Sequence, residues 1–329
     1  MHPEPKILLT RRWPKQVEAH LSGCYDLATN EADIALSAAR LAEAIQACDA
    51  LCPTVTDRID AGLLARPGRV RILANFGVGT NHIDLEAARA AGLIVTNTPD
   101  VLTDTTADLA MTLMLMSARR AGEGERLVRA GKWEGWNPTQ LMGRQLSGRT
   151  LGLIGFGRIA QATARRAAHG FGMRILYHSR NRASAAAEAE SGAEYVGTIE
   201  ALLPRVDYLS LHVPGGAETH HLLSRERLAL LKPEARIVNT ARGTVIDEAA
   251  LVERLQDGTL KGAALDVFAE EPLPQDSPLW GLENVIVTPH DIALVPAEEP
   301  RIVDLFIDNL RRRRNGEPLR NALDPEVLY

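Results

Sequence analysis

Leu151-Gly-Leu-Ile-Gly-Phe-Gly-Arg-Ile-Ala160 decides how the chain is read. Leu151 to Ile154 has the apolar run of a short buried strand. Arg158-Ile-Ala-Gln-Ala-Thr-Ala-Arg-Arg-Ala-Ala168 is rich in good helix formers. Between them, Gly155, Gly157 and Ala160 make a G-x-G-x-x-A turn from strand to helix. Gly155 suits the tight turn, Gly157 lets a pyrophosphate approach the backbone, and Ala160 lets helix and strand pack closely. The free N–H groups at the helix start then face an anion with the favourable end of the helix dipole. A second strand, Met173 to Tyr177, follows. Strand, turn, helix and strand together predict dinucleotide binding, which the glycine turn alone does not.

At 329 residues the chain has the length of about two domains. Apolar residues make up 45%, enough for substantial cores, and a net charge of −5 argues against nucleic-acid or anionic-membrane partners. Cys24, Cys48 and Cys52 cannot all pair and lack zinc-type spacing, so a reduced cytoplasm is expected. Met-His-Pro-Glu-Pro-Lys6 has no signal-peptide pattern, and the apolar run Leu109 to Met116 is too short to span a bilayer. The basic cluster Arg311 to Arg314 reads as a solvated helix end stopped by Gly316.

Before the glycine turn, strand and helix patterns alternate. Strands are expected at Lys6 to Thr10, Ala50 to Cys52, Val70 to Ala74 and Ile94 to Thr96, with helices after Trp13, over Ala38 to Cys48 and near Ile59 to Ala65. Asp84 is the expected N-cap, and Gly92 the stop, of another helix. Asn97-Thr-Pro-Asp100 punctuates the chain before a long helix, Thr105 to Arg120, and Gly131 to Pro138 reads as irregular. After the turn, strands are expected at Tyr208 to Val213, Arg236 to Asn239, Gly262 to Val267 and Val285 to Thr288. Helices are expected over Arg225 to Leu231, Glu248 to Gln256 and Arg301 to Arg312. Ligands bind beyond the carboxyl ends of such strands.

An NAD site of this kind has Asp or Glu about 20 residues past the glycines, on the ribose hydroxyls. Here that place is Tyr177-His-Ser-Arg-Asn-Arg182, without an acid. A carboxylate would repel a 2′-phosphate, whereas Ser179, Arg180 and Arg182 can donate to one. NADP(H) is therefore the expected nucleotide, with NAD(H) as the alternative.

Three further stretches end strands: Val238-Asn-Thr-Ala-Arg242-Gly, Ala264-Leu-Asp266 on to Glu271-Pro272, and Val287-Thr-Pro-His290. Reduction of a 2-oxo acid needs a cation for the carboxylate, an acid for the carbonyl oxygen and a group that tunes the acid. Arg242, His290 and Glu271 supply these types.

With the glycine turn, these motifs resemble the D-isomer-specific 2-hydroxyacid dehydrogenase family over Lys6 to about Ala322. Asn75-Phe-Gly-Val-Gly-Thr-Asn-His-Ile-Asp84 is similar to its substrate-carboxylate loop, and Asn97 to Thr103 to its interdomain crossing. Tyr177-His-Ser-Arg180, Gly135-Trp-Asn-Pro138 and Glu271-Pro-Leu-Pro274 are most similar to the glyoxylate/hydroxypyruvate reductases of that family. The resemblance implies an α/β fold of two doubly wound parallel-sheet domains. Residues 1–99 and 290–329 would form a flavodoxin-like substrate domain, and 100–289 a Rossmann nucleotide domain.

The resemblance also implies roles. Arg242 would grip the substrate carboxylate and carbonyl, helped by the N–H groups of Val78 and Gly79. His290 would protonate the carbonyl oxygen as the nicotinamide delivers hydride to C2. Glu271 would pair with His290 and favour its charged form above the ordinary value of about 6.5, so reduction should weaken as pH rises. Asp266 would orient the nicotinamide carboxamide, and Trp136 would reach the partner's pocket in a homodimer. Further nucleotide contacts are implied for Thr106, Arg158, Ile159, His212, Val213, Pro214, Thr240, Ala241 and His290. The run Asp291-Ile-Ala-Leu-Val-Pro296 departs from the small residues usual after this histidine and bears on substrate size.

The expected activity is NADPH-dependent reduction of a small 2-oxo acid to the D-2-hydroxy acid. A D-3-phosphoglycerate or other D-2-hydroxyacid dehydrogenase is the alternative enzyme. Against phosphoglycerate stand the missing acid at 178–182 and the lack of a regulatory segment after Tyr329. Glu271 argues against a formate dehydrogenase. A nucleotide-sensing corepressor is the non-enzyme alternative, weakened by the presence of Arg242, Glu271 and His290.

Overall fold

The structure, a computed structural model, describes residues 5–66, 68–291 and 299–324. It divides into two compact units, Met1–Leu102 with Ala293–Tyr329, and Thr103–Ile292. These boundaries lie three residues beyond the places where the sequence divides.

The first unit has strands β1 (Lys6–Leu9), β2 (Asp26–Thr29), β3 (Ala50–Cys52), β4 (Ile72–Ala74) and β5 (Ile94–Thr96), all parallel, in the order β2-β1-β3-β4-β5. Helices α1 (Lys15–Ser22), α2 (Ala38–Ala47), α3 (Ala61–Leu64), α4 (Leu85–Ala90) and α12 (Glu299–Asn315) complete it. Apolar clusters lie on both faces of the sheet, as a parallel sheet requires. One joins Val17 and Leu21 of α1 to Phe306 and Leu310 of α12; the other gathers Leu41 and Ile45 of α2, Leu64 of α3 and Ala88 of α4. Trp13 sits between Phe76 and Phe306, 5.0 Å from each ring centre. The expected caps of α4 are present: the Asp84 carboxylate accepts the Ala87 N–H at 2.9 Å, and Gly92 adopts φ +71°.

The second unit begins with α5 (Thr103–Arg119) and α6 (Ala121–Arg129). Its strands are β6 (Thr150–Ile154), β7 (Arg174–His178), β8 (Glu194–Tyr195), β9 (Tyr208–Leu211), β10 (Arg236–Asn239), β11 (Gly262–Leu265) and β12 (Val285–Val287). They form one parallel sheet, β12-β11-β10-β9-β6-β7-β8. The chain runs outward from β6 first through β7 and β8, then restarts at β9 on the other side. The carboxyl end of β6 is therefore the switch point, where an open α/β sheet forms its ligand crevice. The helices are α7 (Arg158–Arg165), α8 (Ala185–Ser191), α9 (Ile199–Leu202), α10 (Arg225–Ala229) and α11 (Glu248–Gln256). Core residues of α5 and α7 pack one face of the sheet, and those of α9, α10 and α11 the other. The chain is α/β with two doubly wound parallel sheets, as its sequence implies.

Several elements differ from the sequence pattern. The long helix stops at Arg119 because Arg120 turns left-handed, φ +55°, and α6 starts afresh beyond it. Arg120 then holds Glu123 through two bonds of 2.8 and 2.6 Å. The helix from Arg158 leaves α geometry at Arg165 and continues as a π turn, Arg166–Gly170. The edge strands β2 and β8 were not expected. They are short, with no fully buried residue, so they carry no apolar run. The final helix runs to Asn315, and Gly316 at φ +71° follows it. No helix among the described residues is long and apolar enough to cross a membrane.

Candidate active site

Gly155 takes φ +88°, and a Cβ there would lie 2.4 Å from the His212 carbonyl oxygen, so the turn admits glycine alone. Gly157 is different. A Cβ on it would meet nothing within 4 Å, so the open space in front of α7 is the space a side chain would fill. Ala160 is fully buried where α7 packs on the sheet. Phe156, between the glycines, stacks on Tyr177 of β7 at 3.9 Å.

At the end of β7 the Ser179 hydroxyl donates to the Asn181 carbonyl at 2.6 Å. Arg180 meets Glu218 at 3.0 Å. Arg182 holds Glu188 of α8 through two bonds of 2.8 and 2.9 Å, and Glu188 also accepts the Tyr177 hydroxyl at 2.6 Å. The bonds from Arg182 and Tyr177 pull the Glu188 carboxyl down to about 2. Burial, then the Glu188 bond, pushes Tyr177 up to about 12. Glu188 is thus a carboxylate near the end of β7 that the sequence count did not reach, and it is already engaged.

Beyond β9, His212 Nε2 bonds the buried Ser210 hydroxyl at 2.9 Å, and burial pushes the imidazole down to about 4. Below its ordinary value of about 6.5 the unfolded chain takes up a proton that the folded chain refuses. Stability is therefore present above pH about 6.5 and lost as pH falls toward about 4, by an amount of about 3 kcal/mol. His212→Asn should flatten the Tm profile across that window; identical acid-side profiles would remove His212 as the cause. Val213 lies against Gly155, with its Cγ1 3.0 Å from where a Cβ would stand, and the Pro214 carbonyl accepts the Thr219 hydroxyl at 2.6 Å.

The ends of β10, β11 and β12 gather the remaining residues. Asn239 secures the loop after β10: its side chain accepts the Ala241 N–H at 3.0 Å and donates to the Arg242 carbonyl at 2.9 Å. Thr240 and Ala241 are buried there, and Thr106 is buried on α5. The Arg242 guanidinium donates to the Ala241 carbonyl at 2.6 Å. Gly243 sits so near the next loop that a Cβ would fall 1.8 Å from the Phe268 carbonyl carbon. That loop carries Glu271. One Glu271 oxygen accepts the Phe268 N–H at 3.0 Å, and the other meets His290 Nδ1 at 2.7 Å. Burial pushes the Glu271 carboxyl up, but the His290 hydrogen bond and charge, the Phe268 N–H and the Arg242 charge outweigh it and hold it below the usual range. His290 reaches this position from a left-handed backbone, φ +57°, uncommon for a residue with a side chain.

Asp266 is fully buried at the end of β11. Its Oδ1 accepts the Thr288 hydroxyl at 2.6 Å and the Asp291 N–H at 3.0 Å, while its Oδ2 has no partner among the described residues. Burial raises its carboxyl above the usual range, against those bonds. An orphaned buried oxygen at a strand end is an acceptor for an amide N–H, so the residues fit a nicotinamide carboxamide. The Thr240 hydroxyl likewise has no partner among the described residues. Asp291 contributes its backbone to Asp266 and leaves its side chain exposed. The rest of the departing run, residues 292–296, lies outside the described residues.

In the first unit the loop after β4 is framed by Asn75, which is 1% exposed. Its amide donates to the Gly77 and Gly79 carbonyls at 3.0 and 3.1 Å, and its oxygen meets His82 Nε2 at 2.9 Å. Asn97 donates to the Val78 carbonyl at 2.9 Å. With three successive carbonyls engaged this way, the loop's conformation is fixed. Asn75 stands in the quoted motif, but only the fold shows what it does. Trp136, in the irregular stretch before β6, is 81% exposed.

A glycine turn at the switch point of a parallel sheet, with a histidine–carboxylate pair and an arginine at neighbouring strand ends, defines an oxidoreductase that uses a nicotinamide nucleotide. The comparisons agree. Residues 111–291 match the family model described as D-isomer specific 2-hydroxyacid dehydrogenase, NAD binding domain. Glyoxylate reductase of Korarchaeum cryptofilum is 41% identical over 99% of this chain and 97% of its own. Glyoxylate reductase of Thermococcus litoralis is 42% identical over 99% and 98%. Among solved structures, a glyoxylate reductase from Paecilomyes thermophila superposes with TM-score 0.85 at 30% identity, covering 98% of this chain and 99% of that one. This chain belongs to the D-isomer specific 2-hydroxyacid dehydrogenase family. The corepressor alternative finds no support among these relatives.

Proposed function

We propose that the enzyme reduces glyoxylate and small relatives such as hydroxypyruvate with NADPH, giving 2-hydroxy acids of D configuration where C2 is a stereocentre. The observation that carries this reading is the 2.7 Å contact of His290 Nδ1 with Glu271, at the edge of the sheet that also presents Arg242. Relatives named glyoxylate reductase, 41 and 42% identical, support the substrate class.

A nicotinamide held by the glycine turn and Asp266 would supply the hydride for C2 of the oxo acid. His290, held through Nδ1, presents Nε2 to the carbonyl oxygen and gives it the proton. Glu271 stays ionised and stabilises the charged imidazole before transfer. Arg242 holds the substrate carboxylate as a planar double donor; in the first unit, the Val78 and Gly79 N–H groups are donors suited to a carboxylate. Asp266 Oδ2 takes the carboxamide N–H. The first unit is then the substrate domain and the second the nucleotide domain. We assign the enzyme to the cytoplasm as a homodimer, with the exposed Trp136 reaching the partner subunit's pocket.

For the nucleotide, Arg180 serves a 2′-phosphate, since the single Ser179 hydroxyl proton goes to the Asn181 carbonyl. Arg182 is turned to Glu188, which narrows the donor set expected from the sequence. A charge-assisted bond of about 1.5–3 kcal/mol corresponds to a preference of about ten- to a hundredfold. The test measures kcat/KM for glyoxylate, hydroxypyruvate and larger 2-oxo acids with NADPH and NADH. The expected result is turnover of the small acids with NADPH ahead of NADH by that margin. A preference for NADH would defeat the nucleotide assignment, and indifference to glyoxylate the substrate assignment.

A further inference from the structure

The two arginines after β7 are held very differently. Arg182 is bound twice by a carboxylate only 14% exposed, which a buried tyrosine hydroxyl also anchors. Arg180 is bound once, at 3.0 Å, by a carboxylate 83% exposed. Exposed single pairs are worth about 0.2–1 kcal/mol. A phosphate dianion can draw Arg180 from Glu218, but taking Arg182 would strip a half-buried carboxylate of its cation.

The place of the Arg180–Glu218 pair matters as much as its strength. Arg180 follows β7 and Glu218 follows β9, and β6 lies between those strands. The pair therefore spans the carboxyl end of β6, beside the glycine turn. Glu218 does not stand there by chance of a loose loop. Its turn, Ala217–Thr219, is tied down by the Thr219 hydroxyl on the Pro214 carbonyl at 2.6 Å.

We propose that Glu218 sets the nucleotide preference of this enzyme by competing with the 2′-phosphate of NADP(H) for Arg180. The proposal rests on the nucleotide site assigned above. With NADH the ion pair stays closed across the rim. With NADPH the phosphate must displace Glu218, and part of the binding free energy is lost in doing so. The chain thus holds its preference for the phosphorylated nucleotide below what Arg180 alone would give. Glu218 is a specificity-determining residue that touches neither the reacting atoms nor the nicotinamide.

The experiment is a double-mutant cycle on the full chain, reading the ratio of kcat/KM with NADPH to kcat/KM with NADH. Glu218→Gln keeps the shape and removes the charge. It should raise the ratio up to about fivefold, the upper end for an exposed pair. In the Arg180→Gln background the same change should leave the ratio where Arg180→Gln put it. A ratio unmoved by Glu218→Gln overturns the proposal. So does a gain that persists in full without Arg180, which would mean plain repulsion of the phosphate by Glu218. If the unmodified enzyme prefers NADH, the NADPH assignment falls, while the shift caused by Glu218→Gln still decides the role of Glu218.

Discussion

His290→Asn is expected to lower kcat/KM for glyoxylate by about 10²–10⁴-fold, the range for loss of a positioned general acid, while NADPH still binds. The asparagine amide can keep a hydrogen bond to Glu271 but has no proton of suitable acidity to give. Nucleotide binding rests chiefly on the glycine turn and the β7 end, so loss of the one contact implied for His290 should cost little NADPH affinity. Fluorescence titration with NADPH separates the two effects. Turnover within tenfold of the parent would remove His290 as the acid. The neighbouring change, Glu271→Gln, removes the anion that His290 Nδ1 meets at 2.7 Å. Glu271 is held ionised below the usual carboxylate range, so it faces His290 as an anion through neutral and mildly acidic pH. The variant should lower kcat for reduction, by less than His290→Asn does, while NADPH still binds. An unchanged kcat would leave Glu271 with a purely structural part.

The features legible in the sequence are those whose meaning is local. Gly155, Gly157 and Ala160 form one turn, and Arg242, Glu271 and His290 each lie in the segment that follows a strand with an apolar run. What was not legible depends on residues brought from elsewhere. Glu218 lies 38 residues from Arg180, and Glu188 stands on the next helix six residues from Arg182, yet the fold sets each on its arginine. No count of residues past the glycines finds them. Asn239 and Asn75 look like ordinary polar loop residues until their side chains are seen holding backbone carbonyls. The edge strands β2 and β8 are too short, and too little buried, to carry an apolar run, and Arg120 breaks a helix that its composition would continue. Helix and strand patterns report burial, and these places are decided by single hydrogen bonds.

Gly243→Ala is the other large loss expected, and it comes from packing rather than chemistry. A Cβ at residue 243 would stand 1.8 Å from the Phe268 carbonyl carbon, 1.9 Å from its oxygen and 2.4 Å from the Ala269 nitrogen. All three are backbone atoms, so no side chain can turn aside; the loops after β10 and β11 must separate by more than an ångström. Arg242 immediately precedes the substituted residue, and the Phe268 N–H fixes Glu271. Their separation therefore shifts the guanidinium away from the His290–Glu271 pair. A misplacement of that size costs about 10²-fold in rate, and the overpacking costs about 1–3 kcal/mol of stability. Gly157→Ala makes the control, because its Cβ meets nothing within 4 Å. That variant should keep its Tm and lose NADPH affinity, since the methyl group occupies the space where a pyrophosphate must approach. If Gly243→Ala kept both kcat/KM and Tm, close contact of the two loops would not be what aligns Arg242 with His290. If Gly157→Ala lost stability instead of affinity, the open space before α7 would not be the phosphate site.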